Sequence, residues 1–166
     1  MLRGARVSLR PFTAGDLGTV AGFFTDPVLA DAWPGDNPAR LRALLAPGAE
    51  GTGMVIERDG RAIGFIQYFE EDDPDYRHAM IDIVVHPDFC DRGLGADALR
   101  TLARHLFEDR GHHRIMIDPH VGNARAIASY RKVGFRDIGV MRRYERGNDG
   151  VWRDSLLMDL LREELI

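Results

Sequence analysis

Residues 81–106 read IDIVVHPDFCDRGLGADALRTLARHL, and this stretch decides the fold. The β-branched run Ile81–Val85 predicts a buried strand, which His86-Pro87 closes. Apolar residues then recur at intervals of three and four, which predicts a helix with one buried face. That face consists of Leu94, Ala98, Leu99, Leu102, Ala103, Leu106 and Phe107. The stretch is therefore a strand, a loop and a helix.

The loop between them is punctuated by Gly93 and Gly95. Glycine lets the backbone approach a ligand closely, because it carries no side chain. The helix that follows offers unpaired N–H groups and the positive end of its dipole. The loop is therefore predicted to hold a phosphate group, and a diphosphate fits it better than a single phosphate.

Two other interpretations of the loop remain open. Gly93-x-Gly95-x-x-Ala98 is a permitted variant of the dinucleotide-binding fingerprint, but that fingerprint belongs on the first strand of a repeating βαβ pattern. Here the loop lies in the middle of the chain and follows an antiparallel hairpin. The glycines are also compatible with an ordinary turn before a packing helix.

Composition bounds the class of protein. The chain has 166 residues, of which 45% are hydrophobic and 29% charged, and one domain over 1–166 is expected. The net charge of −4 gives no preference for nucleic acid or an anionic membrane. Cys90 is the only cysteine, so no internal disulfide and no cysteine-based metal site is expected. With no apolar leader at the start, a cytoplasmic protein is predicted.

The first half of the chain predicts a strand, two helices and a hairpin. Asp59-Gly60 is the favoured pair for a type I′ turn. The predicted elements are a strand at Val7–Pro11, a helix at Ala14–Phe24, an irregular segment at Thr25–Asn37, a helix from Asn37 to Pro47, and hairpin strands at Met54–Glu57 and Ala62–Tyr68. Acidic residues crowd Glu70–Asp75, either as a solvated loop or as the rim of a site for a cation.

The second half continues with Arg114–Asp118, a strand that should lie parallel to Ile81–Val85 because a helix connects the two. Asn123 is predicted to cap a helix that ends near Val133, before Gly134. Two antiparallel strands, Phe135–Met141 and Trp152–Leu160, follow. The order βααβββαβαββ indicates an α+β protein.

The loop and a second motif together resemble the Gcn5-related N-acetyltransferases (GNAT superfamily). The loop supplies Arg92-Gly93-Leu94-Gly95-Ala96, and the second motif is Asn123-x-x-Ala126-x-x-x-Tyr130-x-x-x-Gly134-Phe135. The order of elements matches over nearly the whole length. Cys90 departs from the family pattern, which has glutamine or arginine there. The resemblance implies a mixed, mostly antiparallel sheet whose central parallel pair splays apart between flanking helices.

The resemblance also implies a cofactor site for acetyl-CoA, with no metal. The diphosphate would bind the amides of Arg92, Gly93, Leu94, Gly95 and Ala96, and the pantetheine arm would pair with the strand edge at Ile83, Val84 and Val85. A backbone N–H near Ile83 or Val84 would polarise the thioester carbonyl. Asn123 and Ala126 would contact the cofactor. Tyr130 would protonate the departing thiolate, unless it is only a core aromatic.

Within the superfamily, the aminoglycoside 6′-N-acetyltransferases look most similar. Their pattern implies that Asp82 lies beside the reacting amine and that Asp118 binds further ammonium groups. A solvated strand position for Asp82 and an ordinary turn role for Asp118 remain open. Trp33 and Gln67 are candidate pocket residues, although Trp33 also suits a packing role. His112, His113 and His120 are predicted to be surface or turn residues.

The sequence therefore predicts an acetyl-CoA-dependent N-acetyltransferase that acts on a small polycationic amine, with an aminoglycoside as the expected substrate. One alternative is a protein or peptide N-terminal acetyltransferase. A non-catalytic CoA-binding protein is the alternative from another class. A monomer or a homodimer fits, with no nucleic-acid or membrane partner.

Overall fold

A computed structural model describes all 166 residues and contains one sheet of eight strands. Their order across the sheet is β1-β2-β3-β4-β5-β6-β8-β7, and every neighbouring pair is antiparallel except β5 and β6. This confirms the predicted fold class. The bounds are β1 Leu2–Arg3, β2 Ser8–Pro11, β3 Gly51–Arg58, β4 Arg61–Glu71, β5 His78–Val85, β6 Arg114–Ile117, β7 Arg136–Arg146 and β8 Trp152–Leu161.

Five α-helices cover the two faces of the sheet. They are α1 Leu17–Phe23, α2 Pro27–Ala32, α3 Asn37–Ala43, α4 Leu94–Glu108 and α5 Ala124–Arg131. The larger buried cluster joins α4 and α5 to one face of the sheet, and a smaller cluster joins the first three helices to the other. Each fully buried Leu or Ile contributes about 1.5–3 kcal/mol of hydrophobic stabilisation. The alternation of side chains along β5 serves both clusters, because Ile81 faces the first and Val84 the second.

The only parallel pair separates soon after it forms. β5 and β6 pair at Ala79 with Ile115 and at Met80 with Met116. β5 then runs on to Val85 while it pairs with β4 alone. The N–H of His86 bonds to the carbonyl of Ile63 on the β4 side, so strand alternation turns the N–H of Ile83 toward the gap. The predicted splayed pair is present, and its free edge belongs to β5.

The N-terminal half differs from prediction in detail. The hairpin is confirmed, since Asp59 and Gly60 have the φ values of 51° and 75° that a type I′ turn requires. The predicted irregular segment contains α2, because Asp26 caps it and Pro27 occupies its first turn. The cap of α3 is Asp36 rather than Asn37, and α3 ends at Ala43, earlier than predicted.

Two expectations about polar residues change with the tertiary structure. His112 was predicted at the surface but is fully buried, with its Nε2 2.7 Å from a Glu70 oxygen. Arg110 also donates to Glu70, at 2.9 and 3.0 Å, so this carboxylate is occupied within the fold. Because the loop from Asp72 to Asp75 lies at the start of β5, at the opposite end from Val85, the structure favours its interpretation as a solvated loop.

Candidate active site

A cavity of about 490 Å³ opens where β5 leaves β6, between the start of α4 and one side of α5. Most of the residues predicted to bind the cofactor line it. They are Ile83, Val84, Val85, Gly93, Gly95, Ala96, Asn123 and Ala126. Leu94 packs into the core instead, and the Arg92 guanidinium lies 5.9 Å from the Phe89 ring centroid, so neither side chain lines the cavity.

The glycine loop has the conformation that its sequence requires. Gly93 caps α4 with φ at 72°, the left-handed region that favours glycine. At Gly95 an added Cβ would have Val85 Cγ2, at 3.4 Å, as its nearest neighbour. The protein alone therefore has room for a side chain at Gly95. The glycine is needed only if something else comes close to the backbone there.

Asp97 holds the N-terminal segment against the start of α4, next to the glycine loop. It is buried in the first turn of α4 and accepts hydrogen bonds from the amides of Ala5, Arg6 and Val7 at 2.7–3.2 Å. A carboxylate there also complements the helix dipole. The segment that it holds lets the Arg6 guanidinium donate to the carbonyl of Arg92. The loop is thus fixed before any ligand arrives.

Arg125 faces the loop from α5. No sequence pattern marked Arg125 as a cofactor-binding residue. Its guanidinium lies 3.8 Å from the Asp91 carboxylate, with side-chain exposures of 53% and 75%. Both residues line the cavity. Such an exposed and long ion pair is weak, so a stronger anion can displace Asp91 from Arg125.

Tyr130 is 9% exposed and lines the same cavity from α5. Its ring packs on Phe135 with a centroid separation of 6.1 Å, so the core role proposed as an alternative is real. Burial and the charges of Asp82 and Asp118 raise the pKa of the phenol. The hydroxyl therefore stays protonated at neutral pH, as a proton donor must.

Asp82 stands on β5 opposite Gln67 of β4, and the Gln67 amide donates to its carboxylate at 2.8 Å. Burial raises the pKa of Asp82, while the hydrogen bond from Gln67 and the charge of Arg40 oppose that rise. Gln67 is itself 8% exposed, so it positions Asp82 more than it offers a surface. Asp82 lies on the face of the sheet that α1–α3 cover.

Two more carboxylates stand near Asp82. Burial, followed by the charge of Asp82, raises the pKa of Asp118 to about 6. Burial also raises the pKa of Glu145 on β7, with the charge of Asp82 adding to the shift. We call Asp82, Asp118 and Glu145 the acceptor cluster. Because the charge of Asp82 raises the pKa values of both Asp118 and Glu145, a cation placed among the three would relieve the repulsion.

Trp33 and Arg40 lie on the face of the sheet that α1–α3 cover. The Trp33 ring lies 5.4 Å from that of Phe24 and 6.0 Å from that of Phe65, which fits the packing role. Arg40 donates to the carbonyl of Pro34 at 2.7 Å. Its charge also lowers the pKa values of Asp82 and Glu145. Arg40 and Glu145 carried no local sequence signal, because only the fold brings β7 beside α3.

Cys90 lies in the wall of the cavity, with its sulfur 3.6 Å from the carbonyl of Val85. Burial raises the pKa of this thiol. A thiol with a raised pKa is a poor nucleophile at neutral pH. Cys90 is therefore not a candidate nucleophile.

A sheet that divides at one parallel pair, with a helix N-terminus aimed at the division, defines the N-acetyltransferase class that the motifs predicted. Residues 16–135 match the model of the Acetyltransferase (GNAT) family. The chain belongs to that family and is an N-acetyltransferase. No helix of the protein is long and apolar enough to cross a membrane.

Three known proteins illustrate the similarity. The aminoglycoside N(6′)-acetyltransferase type 1 of Klebsiella pneumoniae is 26% identical, over 81% of this chain and 76% of that protein. The ribosomal protein bS18 alanine N-acetyltransferase of Escherichia coli K12 is 33% identical, but over 49% of this chain and 53% of that protein. The structure of Mycobacterium smegmatis RimJ with CoA-disulfide has a TM-score of 0.83 and 27% identity, and the match covers 96% of this chain and 83% of that one.

Proposed function

We propose that this enzyme transfers the acetyl group of acetyl-CoA to a primary amine of a small polycation, with an aminoglycoside as the favoured substrate. The observation that carries the proposal is the acceptor cluster, in which Asp82 stands close enough to Asp118 and Glu145 for its charge to raise the pKa of each. A single ammonium group would pair with one carboxylate, whereas a substrate with several ammonium groups would pair with all three. The similarity to the Klebsiella enzyme supports the same choice.

The chain's residues fit coenzyme A. A diphosphate on the loop amides would pass over Gly95, where the protein alone leaves room for a Cβ. Arg125 would face that diphosphate from the other side of the cavity. The free edge of β5 offers the N–H of Ile83 to an amide or carbonyl of the pantetheine arm or the acyl group. Among the two residues that the sequence left open for this contact, alternation along the strand favours Ile83 over Val84.

The chemistry divides between the two faces of the sheet. Asp82 accepts a proton from the substrate's ammonium group, directly or through water, so that the neutral amine can attack. Its raised pKa makes it a better base than an ordinary carboxylate. The N–H of Ile83 stabilises the developing oxyanion. Tyr130 then gives its proton to the departing sulfur. The gap between β5 and β6 lets groups from opposite faces act on one carbonyl carbon.

The rival acceptor is the amino terminus of a peptide or protein, as the E. coli relative's name describes for that enzyme. A thiol-release assay with acetyl-CoA separates the two through kanamycin, spermidine and a peptide with a free α-amine. We expect the largest kcat/KM with kanamycin, and a gain for spermidine over the peptide. Turnover confined to the peptide would overturn the polycation proposal and leave the acetyltransferase family intact. Absence of turnover with all three would favour the non-catalytic CoA-binding protein.

The loop predicts that Asp91 and Arg125 act on CoA affinity in opposite directions. Arg125→Gln should weaken CoA binding by about tenfold or more, because a charge-assisted contact with phosphate contributes roughly 1.5–3 kcal/mol. Asp91→Asn should tighten it by up to about fivefold, since the ion pair that it removes is worth at most ~1 kcal/mol. Calorimetric titration with CoA at two salt concentrations measures both.

The matched control for this pair is Asp88→Asn, which removes an exposed acid from the same loop. It should change CoA affinity less than Asp91→Asn does. Asn tolerates the left-handed backbone of Asp91, where φ is 59°, so its loop should keep its shape. Weaker CoA binding in Asp91→Asn, or unchanged binding in Arg125→Gln, would contradict the proposed contact.

Asp118 predicts a pH dependence of acceptor binding. Its pKa of about 6 means that the carboxyl loses its charge as the pH falls through 6. We therefore expect the KM for kanamycin to rise as the pH is lowered from 7 to 5. Asp118→Asn should raise this KM at pH 7 and flatten its pH dependence in the same window. Steady-state kinetics at saturating acetyl-CoA measures the effect.

The same substitution should stabilise the protein without ligand. The folded pKa of about 6 exceeds the ordinary value of 3.8, so the ionised carboxyl destabilises the fold fully above pH 6 and not at all below pH 4. Asp118→Asn should thus raise the free energy of unfolding at pH 7 by up to about 3 kcal/mol, the equivalent of two pKa units. Asp72→Asn, in the solvated loop, is the control and should change neither stability nor KM. An equal rise in KM there would place that loop at the acceptor site.

A further inference from the structure

The turn between β7 and β8 is tied to the end of α2 and to the loop that follows it. The side chain of Asn148 accepts a hydrogen bond from the amide of Gly35 and donates one to the carbonyl of Ala30, both at 2.9 Å. These partners lie 113 and 118 positions away in the chain. Arg153 adds an exposed ion pair with Asp31 at 3.2 Å. We call these three contacts the clasp.

The clasp joins two segments that carry acceptor-site groups. On one side is the segment 30–36, whose Trp33 ring packs on Phe65 and whose Pro34 carbonyl holds the guanidinium of Arg40. On the other side is the end of β7, which carries Glu145 three residues before Asn148. The charge of Arg40 reaches Glu145 across the junction, because it lowers the pKa of that residue. The distance between the segment 30–36 and the end of β7 therefore depends on the clasp.

No apolar packing joins the turn directly to the segment 30–36. The turn residues Asn148, Asp149 and Gly150 are exposed, and so are Asp31 and Ala32 on the opposite segment. No buried apolar residue of the turn packs against α2, since both apolar clusters stop short of residues 147–151. A side-chain amide with both its donor and its acceptor engaged gives directional contacts that hydrophobic packing does not give. Asn148 thus has a structural influence that its exposure would not suggest.

We propose that Asn148 is a specificity-determining residue. It holds the segment 30–36 and the end of β7 at a spacing that suits a compact amine at the acceptor cluster. The inference rests on the proposed function, since it concerns the same acceptor cluster. Without the clasp, the segment 30–36 and the turn can separate, and Arg40 and Trp33 move away from the cluster. A compact polycation then loses contacts, whereas a bulkier acceptor gains access. Leu29 and Ala32 of α2 also line the cofactor cavity, but most of its lining comes from β5, the glycine loop, α4 and α5, so the effect on the cofactor should be small.

The test compares Asn148→Ala with the parent enzyme in steady-state kinetics. We expect the KM for kanamycin to rise roughly five- to twentyfold, because two hydrogen bonds are lost. The KM for acetyl-CoA should stay within about twofold. The ratio of kcat/KM for kanamycin to that for a peptide with a free α-amine should fall. Asp31→Asn should have a smaller effect in the same direction, since it removes only an exposed ion pair. Arg104→Gln, an exposed change on α4, is the control.

A second measurement does not depend on the acceptor. In a Trp152→Phe background Trp33 is the only tryptophan, and acrylamide should quench its fluorescence more strongly after Asn148→Ala. Unchanged quenching would overturn the clasp whatever the substrate is. If the parent acetylates only the peptide, the polycation proposal fails, yet a fall in the peptide's KM with increased quenching still supports the clasp. Equal changes in the KM values for acceptor and acetyl-CoA would reduce Asn148 to a general structural role.

Discussion

Changing Tyr130 to Phe should lower kcat by about 10²–10⁴-fold, the usual contribution of general acid catalysis. The phenol is buried at the cavity wall, and the surrounding burial and carboxylate charges keep it protonated. Phenylalanine preserves the ring and its contact with Phe135 and removes only the hydroxyl. CoA affinity and thermal stability should therefore change little. Single-turnover measurements with a saturating acceptor give the rate of the chemical step, and titration with CoA gives the affinity.

Tyr76→Phe is the matched control for this prediction. Tyr76 is 73% exposed and lies in the loop at the far end of β5, so its hydroxyl should not affect turnover. A loss below roughly tenfold in Tyr130→Phe would return Tyr130 to its packing role and leave the thiolate without a protein acid. An equal loss of stability and activity would also argue for packing, because an acid contributes to the rate and not to the fold.

Replacing Gly95 with Val should weaken CoA binding at least about a hundredfold and remove the thermal stabilisation that CoA gives. A ligand at 100 times its Kd stabilises the folded state by about 2.7 kcal/mol, so the parent should show a clear shift. In the protein alone an added Cβ meets only Val85 Cγ2 at 3.4 Å, and Gly95 itself lines the cavity. Valine there fills the space that the ligand needs while it leaves the core in place.

Gly93 is the poorer choice for this experiment. Its φ of 72° is strained for a β-branched residue, so Gly93→Val changes the loop as well as the ligand site. The matched control is Gly18→Val on α1, where an added Cβ has no atom within 4 Å. Gly18→Val should keep the response to CoA. A Gly95→Val protein with the parent's thermal shift would show that the phosphate does not cross Gly95.

The local sequence was a good guide wherever neighbouring residues decide the structure. The 3.6-residue period defined α4, the Asp59-Gly60 turn defined the central hairpin, and the Asn123 cap started α5. α2 was missed because its six residues are too few to show a period, although Asp26-Pro27 carries the start signal. His112 was misassigned for a different reason. A histidine next to a helix end is usually solvated, and only the fold brings Glu70 and Arg110 around it.

The sequence alone therefore determined the superfamily, the glycine loop and the two helices that face the cavity, since their signals come from residues close together in the chain. It also placed Asp82, Asp118 and Tyr130 on elements that the fold brings together. The tertiary structure alone decided which additional groups join them. Glu145, Arg40, Arg125 and Asn148 come from separate segments, and their electrostatic coupling and hydrogen bonds depend on distances across the sheet. Because such distances leave no periodicity in the sequence, the contacts of these four residues could be identified only in the folded structure.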